Sequence, residues 1–189
     1  LTNTKVMKQF YNLLSILMVA SITLLISCDE EKAAEPLVGK WKFSSVAITD
    51  NYTFAGTAIT IPAGVNITAG VSEALYSVAQ CSSSNLGAIE LKASNQLSII
   101  CTDGSNDVTA GTWAKNSATE LALNLTAPSA ISLNITNVVI AGSTLSGSIA
   151  GLPISKATYG PLLTAAGVPD LTPFPDIILL NVTVSLTKI

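Results

Sequence analysis

The stretch GKWKFSSVAI, residues 39–48, alternates larger apolar side chains with Lys and Ser. In an extended chain, successive side chains point to opposite faces, so such alternation predicts a β-strand with one face buried. The residues predicted to share the buried face are Trp41, Phe43, Ser45 and Ala47. This strand is the first ordered element that the sequence indicates.

A segment near the C-terminus alternates more regularly still. Its predicted buried face consists of Ile178, Leu180, Val182, Val184 and Leu186. Short alternating segments separated by turn residues, such as Asp103-Gly104 and Gly142-Ser143, fill most of the chain between the two. This pattern predicts an all-β fold, an antiparallel meander barrel of about eight strands, with a β-sandwich as the alternative. A meander barrel closes by pairing its first and last strands, so their apolar faces should meet in one interior.

Two segments depart from the β pattern. Residues Ser72–Ala79 have the spacing of two helical turns, and Leu152–Asp176 contains five prolines. A connection as long as the second is uncommon in a compact domain unless it serves as a lid or a binding loop. The other interpretation is a rigid surface insertion held by its prolines.

The N-terminal part has the pattern of an export signal. Lys8 precedes residues 11–26, which carry no charge and are mostly aliphatic. This run is slightly short for a membrane span of about 20 residues. We therefore expect a signal peptide over residues 1–27, a charged flexible tether over 28–36 and a folded domain over 37–189. An uncleaved membrane anchor is the alternative.

Leu25-Ile26-Ser27-Cys28 resembles the lipobox of bacterial lipoproteins. The resemblance implies cleavage before Cys28, lipidation of its thiol and anchoring of the mature protein in a membrane of the cell envelope. The acidic run after Cys28 is similar to the surface-export signal of some outer-membrane lipoproteins. The outer membrane is therefore the expected location. Asp29 directly after the cysteine would instead indicate inner-membrane retention in other bacteria, so the final leaflet stays open.

Charge and composition exclude several functions. From Cys28 onward, seven Lys face twelve Asp and Glu, a net charge of −5, and the chain contains neither Arg nor His. A basic nucleic-acid-binding face is therefore excluded, as are catalytic centres and metal sites built on imidazole. The loop Asp103–Asp107 begins like a calcium loop, but Ala114 stands where the closing Glu would be required. We expect a solvated turn there, with no enzyme activity, metal or cofactor.

Cys81 and Cys101 remain as an even pair if Cys28 carries lipid. Disulfides persist in exported proteins, so we predict a bond between these two residues. Two buried free thiols are the alternative.

Three features in order resemble the lipocalin-like domains of secreted bacterial lipoproteins: the opening Gly39-Lys40-Trp41, the cysteine pair around a hairpin and the later Gly111-Thr112-Trp113. The resemblance implies that Gly39 and Trp41 lie at the base of a barrel. It also implies an interior, as core or cavity, formed by Phe43, Trp113, Leu180, Val182 and Val184. Lipocalins place an Arg from a late strand against the signature Trp, and Lys188 is the only candidate for that position here.

Two functions remain after these exclusions. A lipocalin-like cup would bind a small apolar or amphipathic ligand, whereas a filled barrel would serve as a structural or interaction module in a surface assembly or adhesion. The two differ in their interiors, because a ligand binder needs a cavity of some hundreds of Å³. Small residues expected to face inward, Ala47 and Ala93, would leave room for one. The expected partners are the membrane, through Cys28, and a small hydrophobic ligand.

Overall fold

Eight antiparallel strands close into a barrel in the part of the chain that the structure describes. The structure is a computed structural model, and it describes residues 35–127 and 130–189. In order around the barrel the strands are β1, β10, β9, β8, β7, β6, β5 and β4, while β2 and β3 form a separate pair. The elements are β1 (Gly39–Ile48), β2 (Tyr52–Thr53), β3 (Thr60–Ile61), α1 (Thr68–Ala79), a 3-10 turn (Ser84–Leu86), β4 (Gly87–Leu91), β5 (Gln96–Cys101), β6 (Asp107–Ser117), β7 (Glu120–Leu125), β8 (Ile131–Ala141), β9 (Thr144–Ser155), α2 (Lys156–Ala165) and β10 (Ile177–Lys188).

The first and last strands of the barrel pair along most of their length. The register of β1 against β10 runs from Trp41 opposite Lys188 to Ile48 opposite Val182. The other edge of β1 pairs with β4, beginning with Gly39 opposite Leu91. The prediction of an all-β, eight-stranded meander barrel is therefore confirmed, and the sandwich alternative does not form.

The alternation predicted for β1 is wrong beyond Phe43. The register with β10 shifts between Phe43 and Ser45, which marks a β-bulge. Because a bulge adds one residue to one strand, every later side chain changes face. Val46 and Ile48, rather than Ser45 and Ala47, are therefore the buried residues of the second half of β1.

Several predicted boundaries also move. The strand that contains Gly111-Thr112-Trp113 begins four residues before this motif, at Asp107, and the helix expected over 72–79 begins at Thr68. The proline-containing segment is shorter than predicted, because β9 continues through Pro153 to Ser155. α2 then begins at once and tolerates Pro161 in its interior.

The two ends of the barrel differ in how the strands are connected. At one end, here called the base, the connections 92–95, 118–119 and 142–143 are short turns. At the other end, the mouth, β1 leads to β4 through residues 49–86, and β9 leads to β10 through residues 156–176. These two are the longest connections at the mouth, and they are the ones with enough chain to cover it.

Helix α1 lies beside the barrel wall towards the mouth and packs against β1, β4 and β5. The backbone N–H of Val46 donates to the hydroxyl of Thr68 at 2.7 Å, and the N–H of Ile67 donates to the carbonyl of Val46 at 2.8 Å. The pairing of β1 with β4 extends only to Trp41 and Ile89. Beyond that point α1 supplies the packing between the two strands. Neither helix in the described part of the chain is long and apolar enough to cross a membrane.

Candidate functional site: the barrel interior, its base and its roof

The base is built around Trp41. The indole N–H of Trp41 donates to the carbonyl of Leu37 at 2.7 Å, and the side chain is 1% exposed. The ammonium of Lys188 lies 5.3 Å from the centroid of the indole and donates to the carbonyl of Pro36 at 3.1 Å. This places a cation against the aromatic face, a favourable electrostatic arrangement. Gly39 has φ of +139°, and a Cβ there would lie 2.6 Å from Cε of Lys188. The contacts of the base therefore explain why Trp41, Lys188 and Gly39 occupy these positions.

The second Gly-x-Trp motif repeats part of this arrangement. The indole N–H of Trp113 donates to the carbonyl of Lys92 in the β4–β5 turn at 2.9 Å. Gly111 has φ of +153°, and a Cβ there would overlap the backbone carbonyl of Asn124 on β7. The cross-strand partners Gly39, Leu91, Leu97 and Gly111 form one row across β1, β4, β5 and β6. The two motifs thus stand at the ends of a single row of the wall.

Side chains fill the middle of the barrel. The residues predicted to line it from β10, Leu180, Val182 and Val184, are at most 2% exposed. The residues in one cross-strand row with Val182 are at most 3% exposed: Leu121, Ile135 and Ile149. At that degree of burial, each of these side chains is surrounded by other side chains and not by open space.

Three other residues named from the sequence differ in their placement. Phe43 is only half-buried and packs against the edge of the core. Ala47 and Ala93, expected to face inward, do not line the interior: the bulge turns Ala47 away, and Ala93 is exposed in the β4–β5 turn. The space that the sequence predicted from these alanines is therefore not formed by them.

The interior is apolar in character. Among the described residues, Ser98 is the only polar residue in the buried set. It pairs with Glu90 across β4 and β5, so it lies on the outer face of the wall. Binding inside the barrel would depend on apolar contact and shape, because the indole N–H of Trp41 and the hydroxyl of Tyr159 already bond to backbone carbonyls.

Three aromatic rings form a roof over the mouth: Phe54, Tyr159 and Phe174. The ring of Phe54 lies 5.5 Å from that of Tyr159 and 4.8 Å from that of Phe174, centroid to centroid. All three are buried and belong to the same core cluster as the barrel interior. The hydroxyl of Tyr159 donates to the carbonyl of Pro175, and burial raises the pKa of this phenol. Tyr159 and Phe174 were not predicted from the sequence, because their only signal was two aromatic residues in a long connection.

The predicted disulfide between Cys81 and Cys101 is present. It joins the residue just after the C-cap of α1 to the last residue of β5, with the two Cα atoms 5.5 Å apart. Around it pack Ala79, Ile99 and Ala110 in a small second cluster. The bond therefore fastens the exit of α1 to the barrel wall near the mouth.

In the loop after β5, the carboxylate oxygens interact with donor groups of the protein itself. The carboxylate of Asp103 accepts from the backbone N–H and the hydroxyl of Ser105 and from the hydroxyl of Ser82. The hydrogen bonds from Ser105 are the main reason that the pKa of Asp103 is lowered. Asp107 instead forms an ion pair with Lys92 at 2.9 Å. Within the described residues, no three acidic, Cys or His side chains converge on a metal position.

Cys28, the predicted signal peptide 1–27 and all but the end of the predicted tether lie outside the described residues. Comparison of the chain with protein-family models, with curated proteins and with solved structures finds no match. The functional argument therefore depends on the chain's own geometry and on its sequence motifs.

Proposed function

We propose that this chain is a membrane-anchored lipoprotein whose lipocalin-like barrel binds a small apolar or amphipathic ligand at its mouth. The motifs around Cys28 and Gly39-Lys40-Trp41 support the anchor and the family. The apolar interior supports the ligand class. The protein would act in the cell envelope, without catalysis.

The observation that carries the proposal is the construction of the roof. Short turns hold the base, whereas rings from two separate long connections, including Phe54 and Phe174, cover the mouth. These rings meet one another by apolar contact, which can be replaced by a ligand of similar character. An apolar ligand cannot replace a directional hydrogen bond such as that from the indole N–H of Trp41 to the carbonyl of Leu37.

The filled middle of the barrel limits where a ligand can lie. Leu180, Val182 and Val184 leave little open space at that level. A ligand would therefore occupy the layer between these side chains and the roof, displacing one or more roof rings. This geometry favours a short or compact apolar group rather than a long chain inserted down to Trp41.

A second candidate, a non-catalytic structural or interaction module, is favoured by two specific observations. One is the same filled middle. The other is exposed apolar surface on β10, where Ile177 and Leu179 are 60% and 62% exposed. Along α2, an open apolar groove is lined in part by Ala157, Pro161 and Leu171.

Titration with the fluorescent probe N-phenyl-1-naphthylamine separates the two candidates. Wild-type protein should show saturable binding, and a fatty acid of 8 carbons should compete better than one of 16 carbons and should raise the melting temperature. Phe54→Ala should change the affinity several-fold, whereas Val139→Ala, at a position 58% exposed on β8, should not. Absence of saturable binding, together with no retained small molecule in native mass spectra of protein from its own host, would favour the module.

The anchor has its own experiment. Cys28→Ala should abolish incorporation of labelled fatty acid and either release the protein from membranes or stop its processing. Normal processing and unchanged membrane association of this variant would contradict the lipidation.

A further inference from the structure

Residues 156–176, here called the lid, leave the barrel and return to it at one narrow point. The backbone N–H of Lys156 donates to the carbonyl of Asp176 at 2.7 Å, and their side chains form an ion pair at 3.0 Å. The first and last residues of the lid are thus joined by two bonds. We call this pair the neck.

The lid is held together internally. Backbone N–H groups after α2 bond to carbonyls within it: Ala166 to Leu162, Gly167 to Thr164, Val168 to Leu163 and Phe174 to Leu171. The hydroxyl of Tyr159 reaches the carbonyl of Pro175, which ties the helix to the end of the lid. These internal hydrogen bonds would keep the lid rigid if it moved as one body.

The lid contacts its surroundings in a different way. In the described part of the chain, the hydrogen bonds of residues 157–175 stay within the lid, apart from the contact of Thr158 with the preceding Ser155. Towards the rest of the protein, the lid presents the rings of Tyr159 and Phe174 to Phe54, and Thr158 to Gly70 of α1. Beyond its neck, it is therefore seated on the mouth by apolar and van der Waals contact.

We propose that the lid pivots as one unit about its neck and gates access to the mouth of the barrel. Opening separates Tyr159 and Phe174 from Phe54 and exposes the layer above Leu180. Among the described residues, the only hydrogen bond from residues 157–175 to a barrel strand is that of Thr158 with Ser155 beside the neck, so opening costs mainly apolar contact. The role of this motion in regulating ligand entry rests on the proposed function. The motion itself can be measured without any ligand.

Thiol labelling of ligand-free protein measures the motion. Ile178→Cys places a thiol at a position 2% exposed on the mouth-end part of β10, and Leu186→Cys places one at a position 1% exposed near the base. The thiol at 178 should react at least tenfold faster than the thiol at 186. If Ile178→Cys does not fold, Leu180→Cys, also 2% exposed, takes its place. Equal labelling rates at the two ends would overturn the proposal.

A reversible lock tests whether the lid is the moving part. A Cβ on Gly70 would lie 3.2 Å from Cβ of Thr158, just short of the 3.5–4.5 Å usual for a disulfide. The pair Gly70→Cys and Thr158→Cys should therefore form a bond between α1 and α2 after a small adjustment. In this oxidised background the thiol at 178 should react as slowly as the thiol at 186. Unchanged fast labelling would show that the end of β10 frays without lid motion, and would overturn the proposal.

The same lock connects the motion to binding. Oxidised Gly70→Cys/Thr158→Cys should associate with N-phenyl-1-naphthylamine at least tenfold more slowly than wild type, and mild reduction should restore the rate. Wild-type protein under the same reductant controls for loss of the Cys81–Cys101 bond. Unchanged association in the locked protein would overturn the gate. Failure of wild type to bind the probe, with the labelling difference intact, would instead contradict the proposed function alone.

Discussion

The base and the mouth of this barrel are closed by different kinds of interaction. At the base, short turns, an indole N–H bonded to the carbonyl of Leu37 and a cation over Trp41 fix each group in direction as well as in distance. At the mouth, the rings of Phe54, Tyr159 and Phe174 arrive on long connections and meet by apolar contact. Directional bonds resist substitution, whereas apolar contacts can be exchanged for others of similar shape. The difference indicates a permanent closure at one end and a removable one at the other.

The largest expected effect is at the base. Trp41→Ala should lower the free energy of unfolding by about 3–5 kcal/mol, because it removes a fully buried ring and leaves a cavity. Phe54→Ala at the roof should cost less, roughly 3 kcal/mol or below, since the lid can settle into the vacated space. Urea denaturation measures both, with Trp41→Phe as a milder control. Equal losses at the two ends would remove the distinction between permanent and removable closure.

The disulfide near the mouth should come next in size. Replacing Cys81 and Cys101 by Ser should cost about 3 kcal/mol, because the bond closes a loop with a sequence separation of 20 and so restricts the unfolded chain. For a domain of this size, calorimetry should show a melting temperature lower by roughly 6–12 °C. A melting temperature that does not change would contradict the loop-closure argument and weaken the role given to α1.

A smaller effect is expected from the cation at the base. Lys188→Met keeps the apolar stem but removes the charge over Trp41 and the hydrogen bond to Pro36, and should cost about 1 kcal/mol. Lys188→Arg retains a cation and should lose less. Urea denaturation of the two variants measures how much free energy of unfolding each one loses. If Met and Arg proved equivalent, the base would depend on packing alone.

The smallest effect belongs to the wall between the two ends. The hydrogen bond from Lys92 lowers the pKa of Asp107, so ionised Asp107 favours the folded state. The sign follows from the lowered folded pKa: the contribution is fully present above the unfolded value of about 3.9 and is lost as the pH falls through the folded one. Because the Asp107 side chain is 48% exposed, Asp107→Asn should cost only a few tenths of a kcal/mol at pH 7.

A pH series of urea midpoints measures that contribution. The difference between wild type and Asp107→Asn should shrink below about pH 4. In a Lys92→Met background the difference should be smaller at every pH, because only the weaker influences of Ser98 and Lys40 on Asp107 remain. A difference that grew as the pH fell would contradict the assignment.

The alternation of β10 was sufficient to predict its buried face correctly, because a strand buried on one side has a period of two. The same rule failed in β1 after Phe43, since a bulge depends on how two strands pair and leaves no mark in a single segment. The disulfide was predictable from cysteine parity and compartment. The roof was not, because Tyr159 and Phe174 are 15 residues apart and meet Phe54 only through folding.

The sequence by itself determined the fold class, the pairing of the first and last strands and the cysteine bond, because each depends on local periodicity or on a count of residues. It also supplied Lys188 as the only cation available for Trp41. Tertiary structure alone decided which side chains fill the middle of the barrel, and it alone joined residues 156 and 176 into a neck. Filling and closure depend on the distance between strands remote in sequence, and that distance is set only when all eight have paired.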